Sequence, residues 1–166
     1  MEAEERPQGS RLTRLGALHE APHAHHLYQA LRLIEAANPE RPRLGRSTRP
    51  SQDPVRLGQE AELAFPPSTV EGFRRGEGGA PDRLTQRMFG LFGPQGPLPL
   101  HLTEHARDRL RNHRDPTFTA FADLFHHRML SLLYRAWASG QPAPSFDRAD
   151  DDPFGDKVAA LAGHAG

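Results

Sequence analysis

Residues 115–140 read DPTFTAFADLFHHRMLSLLYRAWASG, and their pattern decides the fold class. Phe118, Phe121, Phe125, Met129, Leu132, Leu133, Ala136 and Trp137 recur at three- and four-residue steps, which lines them along one side of a helix. Asp115 can accept from the open N–H groups of a first turn, and Pro116 at the first helical position gives up no donor the helix needs. Gly140 and Pro142 end the run. The result is an amphipathic helix from 116 to 138, about six turns long. Its apolar side needs a surface to pack against, and the pattern leaves open whether that surface is the chain's own sheet or another subunit.

Upstream, Leu102, Ala106 and Leu110 mark a narrower stripe on a half-exposed helix over 100–113. Before it stands Gly93-Pro94-Gln95-Gly96-Pro97-Leu98-Pro99-Leu100, where glycine permits positive φ and proline fixes φ, giving a stiff, shaped turn. Arg83 to Phe92 alternates as a strand, with Leu84, Gln86, Met88, Gly90 and Phe92 on one face. Residues 72–82 are Gly-rich and charged and predict an exposed loop. Val55–Gln59 and Glu62–Phe65 predict short strands, the second stopped by Pro66-Pro67. Residues 39–54, with four prolines among arginines, form an extended connector.

Leu27, Ala30, Leu31 and Ile34 predict a first helix within 22–38, closed by Asn38-Pro39. The fold class is therefore α+β: a short N-terminal helix, a small antiparallel sheet or hairpin, then two helices including the long aromatic one, in a domain that looks incomplete. Residues 1–21 are polar enough to be a flexible leader. Residues 22–140 make the domain, and residues 141–166 read as a Pro- and Asp-rich linker and the start of a further part, with a weak helix from 154.

The 166 residues contain no cysteine, which excludes disulfides, thiolate metal sites and cysteine nucleophiles. Lys+Arg and Asp+Glu both number 21, so no net field favours nucleic acid or an anionic membrane. No stretch approaches the ~20 apolar residues a membrane span requires, and the chain is expected in the cytoplasm.

Mean hydropathy is −0.69, low enough that part of the chain is expected to depend on neighbours.

One string invites a catalytic reading. His101-Leu102-Thr103-Glu104-His105 matches H-x-x-E-H, in which two His one turn apart hold zinc and Glu activates water. A zinc-dependent hydrolase is accordingly the alternative function, although a third protein ligand is wanted and the chain soon ends. His126-His127 adds no metal pair, since adjacent helical residues point about 100° apart. His23, His25 and His26 read as a solvated helix start. Asp147, Asp150, Asp151, Asp152 and Asp156 lack the glycine and bidentate Glu of a calcium loop and read as hydrated linker. No nucleophile elbow or phosphate-cradling Gly-rich loop is present.

Three strings together resemble a known family: Tyr28-Gln29-Ala30-Leu31-Arg32-Leu33-Ile34-Glu35, then Phe89-Gly90-Leu91-Phe92-Gly93-Pro94-Gln95-Gly96-Pro97-Leu98-Pro99, then Asp123-Leu124-Phe125-His126-His127-Arg128 with Tyr134-Arg135-Ala136-Trp137. They look like TssG (ImpH, VasB), a baseplate subunit of the bacterial type VI secretion system. Arg43-Leu44-Gly45, Val55-Arg56-Leu57-Gly58-Gln59 and Leu63-Ala64-Phe65-Pro66-Pro67-Ser68 fit as well, so coverage runs from about Leu27 to Phe154. The family continues well past residue 166, which makes this chain look like an N-terminal portion.

The resemblance implies a non-catalytic wedge protein without cofactor or small-molecule substrate. Its implied partners are two copies of TssF and the TssK trimers, with sheath-initiating TssE and the VgrG spike as further candidates. Its implied place is the cytoplasmic face of the inner membrane, without insertion. The residues expected to carry structure or interaction are Phe89, Gly90, Phe92, Gly93, Gly96, Pro97 and Pro99 in the turn, and Phe125, Arg128, Tyr134, Arg135 and Trp137 on the long helix.

Overall fold

The structure, a computed structural model, describes residues 15–148 and 151–163, the side chain of Pro153 excepted. Residues 15–20 are helical (α1). They are followed by a 3-10 turn at Pro22–Ala24, α2 at Leu27–Ala36, a second 3-10 turn at Pro50–Gln52, and strands β1 at Val55–Gln59, β2 at Val70–Arg74 and β3 at Asp82–Gln86. Helices α3 (Leu100–Asn112), α4 (Thr117–Ala138), α5 (Pro142–Phe146) and α6 (Pro153–Leu161) complete the order. The class is α+β, as the patterns predict.

The three strands lie in the order β1-β3-β2. β2 pairs antiparallel with β3 and β1 joins β3 in parallel, so the sheet is mixed where a small antiparallel sheet or hairpin was expected. β2 falls partly in the stretch expected to be a loop. A register shift between Val70 and Gly72 explains why its pattern is hidden. The bulge at Glu71 lets Val70 and Phe73 both be buried although they are three residues apart, so simple alternation fails.

Two other strand expectations are corrected. Residues 62–65 form no strand, and the strand read through Phe92 stops at Gln86. The Gln86 side chain ends it: Oε1 accepts from the N–H groups of Met88 (2.7 Å) and Phe89 (2.9 Å), and Nε2 donates to the Phe89 carbonyl (2.6 Å). A local side-chain loop thereby replaces the ladder.

The larger core cluster unites α1, α2, the sheet and the second half of α4 through Leu18, Leu27, Leu31, Leu57, Leu84 and Leu130. Leu15 and Leu18 are buried, so the described end of the presumed leader packs into the core; residues 1–14 lie outside the described residues. A smaller cluster of Ala61, Phe92, Ala106 and Ala122 joins the Gly/Pro turn to α3 and the first half of α4.

The segment expected as a hydrated linker is tied down by ion pairs. Arg32 bonds Asp147, Arg43 and Arg46 bond Asp151, and Arg148 donates to the carbonyls of Pro39 and Arg41. Burial works against the Asp151 carboxylate, but Arg43 and Arg46 outweigh it and hold its pKa below the ordinary value. Asp152 accepts from the N–H groups of Phe154 and Gly155 to open α6, while Asp150 lies outside the described residues.

Candidate functional site

β1 is an edge strand, and an edge strand leaves alternate amides without ladder partners. α4 supplies partners for two of them. His127 Nδ1 accepts from the Leu57 N–H at 3.2 Å, and Asp123 Oδ1 accepts from the Gln59 N–H at 3.0 Å. Each acceptor is itself held: His127 Nε2 bonds Asp53 Oδ2 at 2.9 Å, and Asp123 Oδ2 takes a guanidinium N–H of Arg83. Where α4 passes the edge strand, Asp123 and His127 are polar because they meet backbone amides, while Leu130 beyond them packs into the core.

His126, fully buried, extends this network to the Gly/Pro turn. Its Nε2 accepts from the Leu91 N–H at 3.0 Å, which requires a lone pair there, so the proton sits on Nδ1 and is donated to Asp123 Oδ1 at 2.8 Å. Gln59 grips the same turn from β1, donating to the Phe92 carbonyl (2.8 Å) and accepting from the Phe92 N–H (2.9 Å). Gly93 N–H reaches Thr103 Oγ1 of α3 at 3.1 Å. Three elements, β1, α3 and α4, thus fix one turn.

The outward face of α4 carries the aromatic stripe. Phe121 is 57%, Leu124 69%, Phe125 50% and Leu132 41% exposed. The rings of Phe121 and Phe125 meet edge to face at 5.5 Å. Met129 continues this row into a groove of about 530 Å³ lined also by Phe65, Met88, Phe89, Phe92 and Pro97. At the groove's side, burial raises the Glu60 pKa, with the Glu71 charge adding to it. Arg128 lies on the same exposed face and, among the described residues, makes no ion pair.

The far end of α4 is anchored to α2. The buried Tyr134 hydroxyl donates to Glu35 Oε2 at 3.2 Å, and burial together with that carboxylate pushes the phenol well above its ordinary range. Trp137 stacks on Tyr28 with ring centres 4.9 Å apart and planes 6° off parallel. Arg135 donates to the Gly45 carbonyl at 3.1 Å.

The chain matches the family model described as Type VI secretion, TssG over residues 21–166. It belongs to the TssG family. TssG proteins are components of the type VI secretion baseplate. No curated protein and no solved structure matches the chain. No helix among the described residues is long and apolar enough to cross a membrane.

Within this TssG-family chain the residues singled out in the sequence fall into two groups. Phe92, Gly90, Gly93 and Gly96 hold the turn, and Tyr134, Arg135 and Trp137 anchor α4. Phe89, Pro97, Pro99, Phe125 and Arg128 are exposed. Sequence reasoning missed Phe121, Leu124 and Leu132 as surface residues, and it missed the hydrogen-bonded set Gln59, Asp123, His126 and His127. A signal existed: Thr119, Asp123, His126 and Ser131 recur at helical spacing and form a second, polar face.

The H-x-x-E-H string lies on α3 with His101, Glu104 and His105 all exposed. Among the described residues no three His, Cys, Asp or Glu side chains group closely enough to hold a metal ion.

Proposed function

We propose that this TssG-family chain is a non-catalytic joint of the baseplate that bridges two copies of TssF and ties in the TssK trimers. TssE and the VgrG spike are further neighbours in the assembled machine, at the cytoplasmic face of the inner membrane. One observation carries the reading: α4 bonds its own sheet through polar side chains and leaves its aromatic row outside. A helix that spends its carboxylate and imidazoles on a sheet edge keeps Phe121 and Phe125 for another protein.

The test is recovery of the complex after co-expression with TssF and TssK. Replacing both Phe121→Ser and Phe125→Ser should change the unfolding free energy by under about 1 kcal/mol, since surface substitutions away from special features usually stay within ±0.5 each. Co-purification should fall at least about tenfold, equivalent to ~1.4 kcal/mol of binding. Unchanged recovery from a well-folded double variant would overturn the role given to this face.

A further inference from the structure

We infer that the exposed face of α4 receives one amphipathic helix of another protein, about three turns long, that places a carboxylate against Arg128. The inference rests on the bridging role proposed above and names the chemistry of the partner. It starts from the rows on the helix. Phe121, Phe125 and Met129 form one row at four-residue steps, and Leu124, Arg128 and Leu132 form the next. Two such neighbouring rows make the ridges between which a second helix packs its own side chains. From Phe121 to Leu132 the rows run about 16 Å at 1.5 Å per residue, which sets the length of the occupant.

Charge selects the partner. The one carboxylate of α4, Asp123, is buried and bonded to the Gln59 N–H, His126 and Arg83. The exposed face therefore carries only cations, Arg128 and Arg135, and Arg135 already donates to the Gly45 carbonyl. Arg128 is flanked one turn away by Leu124, Phe125 and Leu132, so an occupant that covers those residues also removes water from the guanidinium. Desolvating it unpaired would be costly, and an Asp or Glu on the incoming helix meets that need.

A second copy of this chain fits less well. Two α4 helices crossing about a two-fold axis near their centres would bring Arg128 of each copy together, and like charges there oppose the pairing. An anionic membrane would also attract arginine and apolar rings, and the experiment separates that case.

In the complex co-expressed with TssF and TssK, Phe125→p-benzoylphenylalanine is irradiated and the joined peptide sequenced. The expected product is a peptide from another protein with apolar residues at three- and four-residue steps and an Asp or Glu among them. Arg128→Glu should lower recovery of the complex at least about tenfold, and Arg in place of that partner acid should restore it. Crosslinking to a second copy, or Arg128→Glu without effect on a complex that crosslinks at Phe125, would overturn the inference. Sedimentation of the purified chain with phosphatidylglycerol vesicles, lost in Arg128→Glu, would overturn it in favour of a membrane. If the unaltered chain recovers neither TssF nor TssK, the bridging role itself fails. If it recovers them equally well with Phe125 and Arg128 altered, only the helix-docking inference fails.

Discussion

Asp123→Ala should destabilise the chain by about 3–5 kcal/mol, because two buried donors lose their acceptor at ~1–3 kcal/mol each and Arg83 loses its partner. The donors are the Gln59 N–H of the edge strand and His126 Nδ1–H, both within 3.0 Å of one carboxylate oxygen. Arg83 is part-exposed, so the screened ion pair is the smaller share. For a domain of this size, at ~2–4 °C per kcal/mol, the loss corresponds to a fall in melting temperature of about 6–20 °C. Asp123→Asn keeps an oxygen for the Gln59 amide and gives up the charge, so it should fall between the two. Thermal or urea unfolding of the variants checks the order. A melting point for Asp123→Ala equal to that of the unaltered chain would mean that α4 is not held to β1 through this carboxylate.

The contrast between Asp123 and Phe125 shows what the sequence made legible and what it concealed. The existence of α4 was plain from apolar spacing, the Asp115-Pro116 start and the Gly140 stop, and the observed helix runs Thr117–Ala138. Asp115 indeed accepts from the Thr117 N–H at 3.0 Å and from its hydroxyl, and these bonds hold its carboxyl well below the usual range. Helix α2 was legible for the same reason, since Leu27, Ala30, Leu31 and Ile34 are all buried, whereas on α3 Ala106 is buried but Leu110 of the same stripe is exposed. Which face of α4 turns inward was not legible. Burial of apolar residues is the default expectation, but an edge strand presents amides, and amides select acceptors such as Asp123 and His127.

Tertiary partners likewise hid β2 and the end of β3. The Glu71 bulge removes the two-residue period of β2, and a glutamine side chain takes over the backbone bonds where β3 was expected to continue. The ties from Asp147 and Asp151 to Arg32, Arg43 and Arg46 span more than a hundred residues of sequence, beyond the reach of any local pattern. The Gly/Pro stretch is a turn with positive φ at Gly93, as the glycines allowed. Its grip by Gln59 and His126 could be seen only once β1 and α4 stood beside it.

That grip leads to the second large effect: Gly90→Ala should cost about 3 kcal/mol or more, combining ~1–3 for a backbone region nearly restricted to glycine with ~1–3 for overpacking. Gly90 has φ of 153°, and a Cβ there would stand 2.2 Å from Gln59 Oε1 and 2.9 Å from His126 Cδ2. Neither neighbour can yield freely, because Gln59 is bonded at both ends of its amide to Phe92 and His126 is pinned between Asp123 and Leu91. Relief must come from shifting Gln59, the closer neighbour, together with His126, and Asp123→Ala removes a restraint on each, the acceptor of the Gln59 N–H and of His126 Nδ1–H. The double variant should lose less than the sum of the singles, by about 0.5–3 kcal/mol, as residues sharing a network do. Measured by urea unfolding, a sum that is additive to within ~0.5 kcal/mol would show that the turn and α4 are held independently.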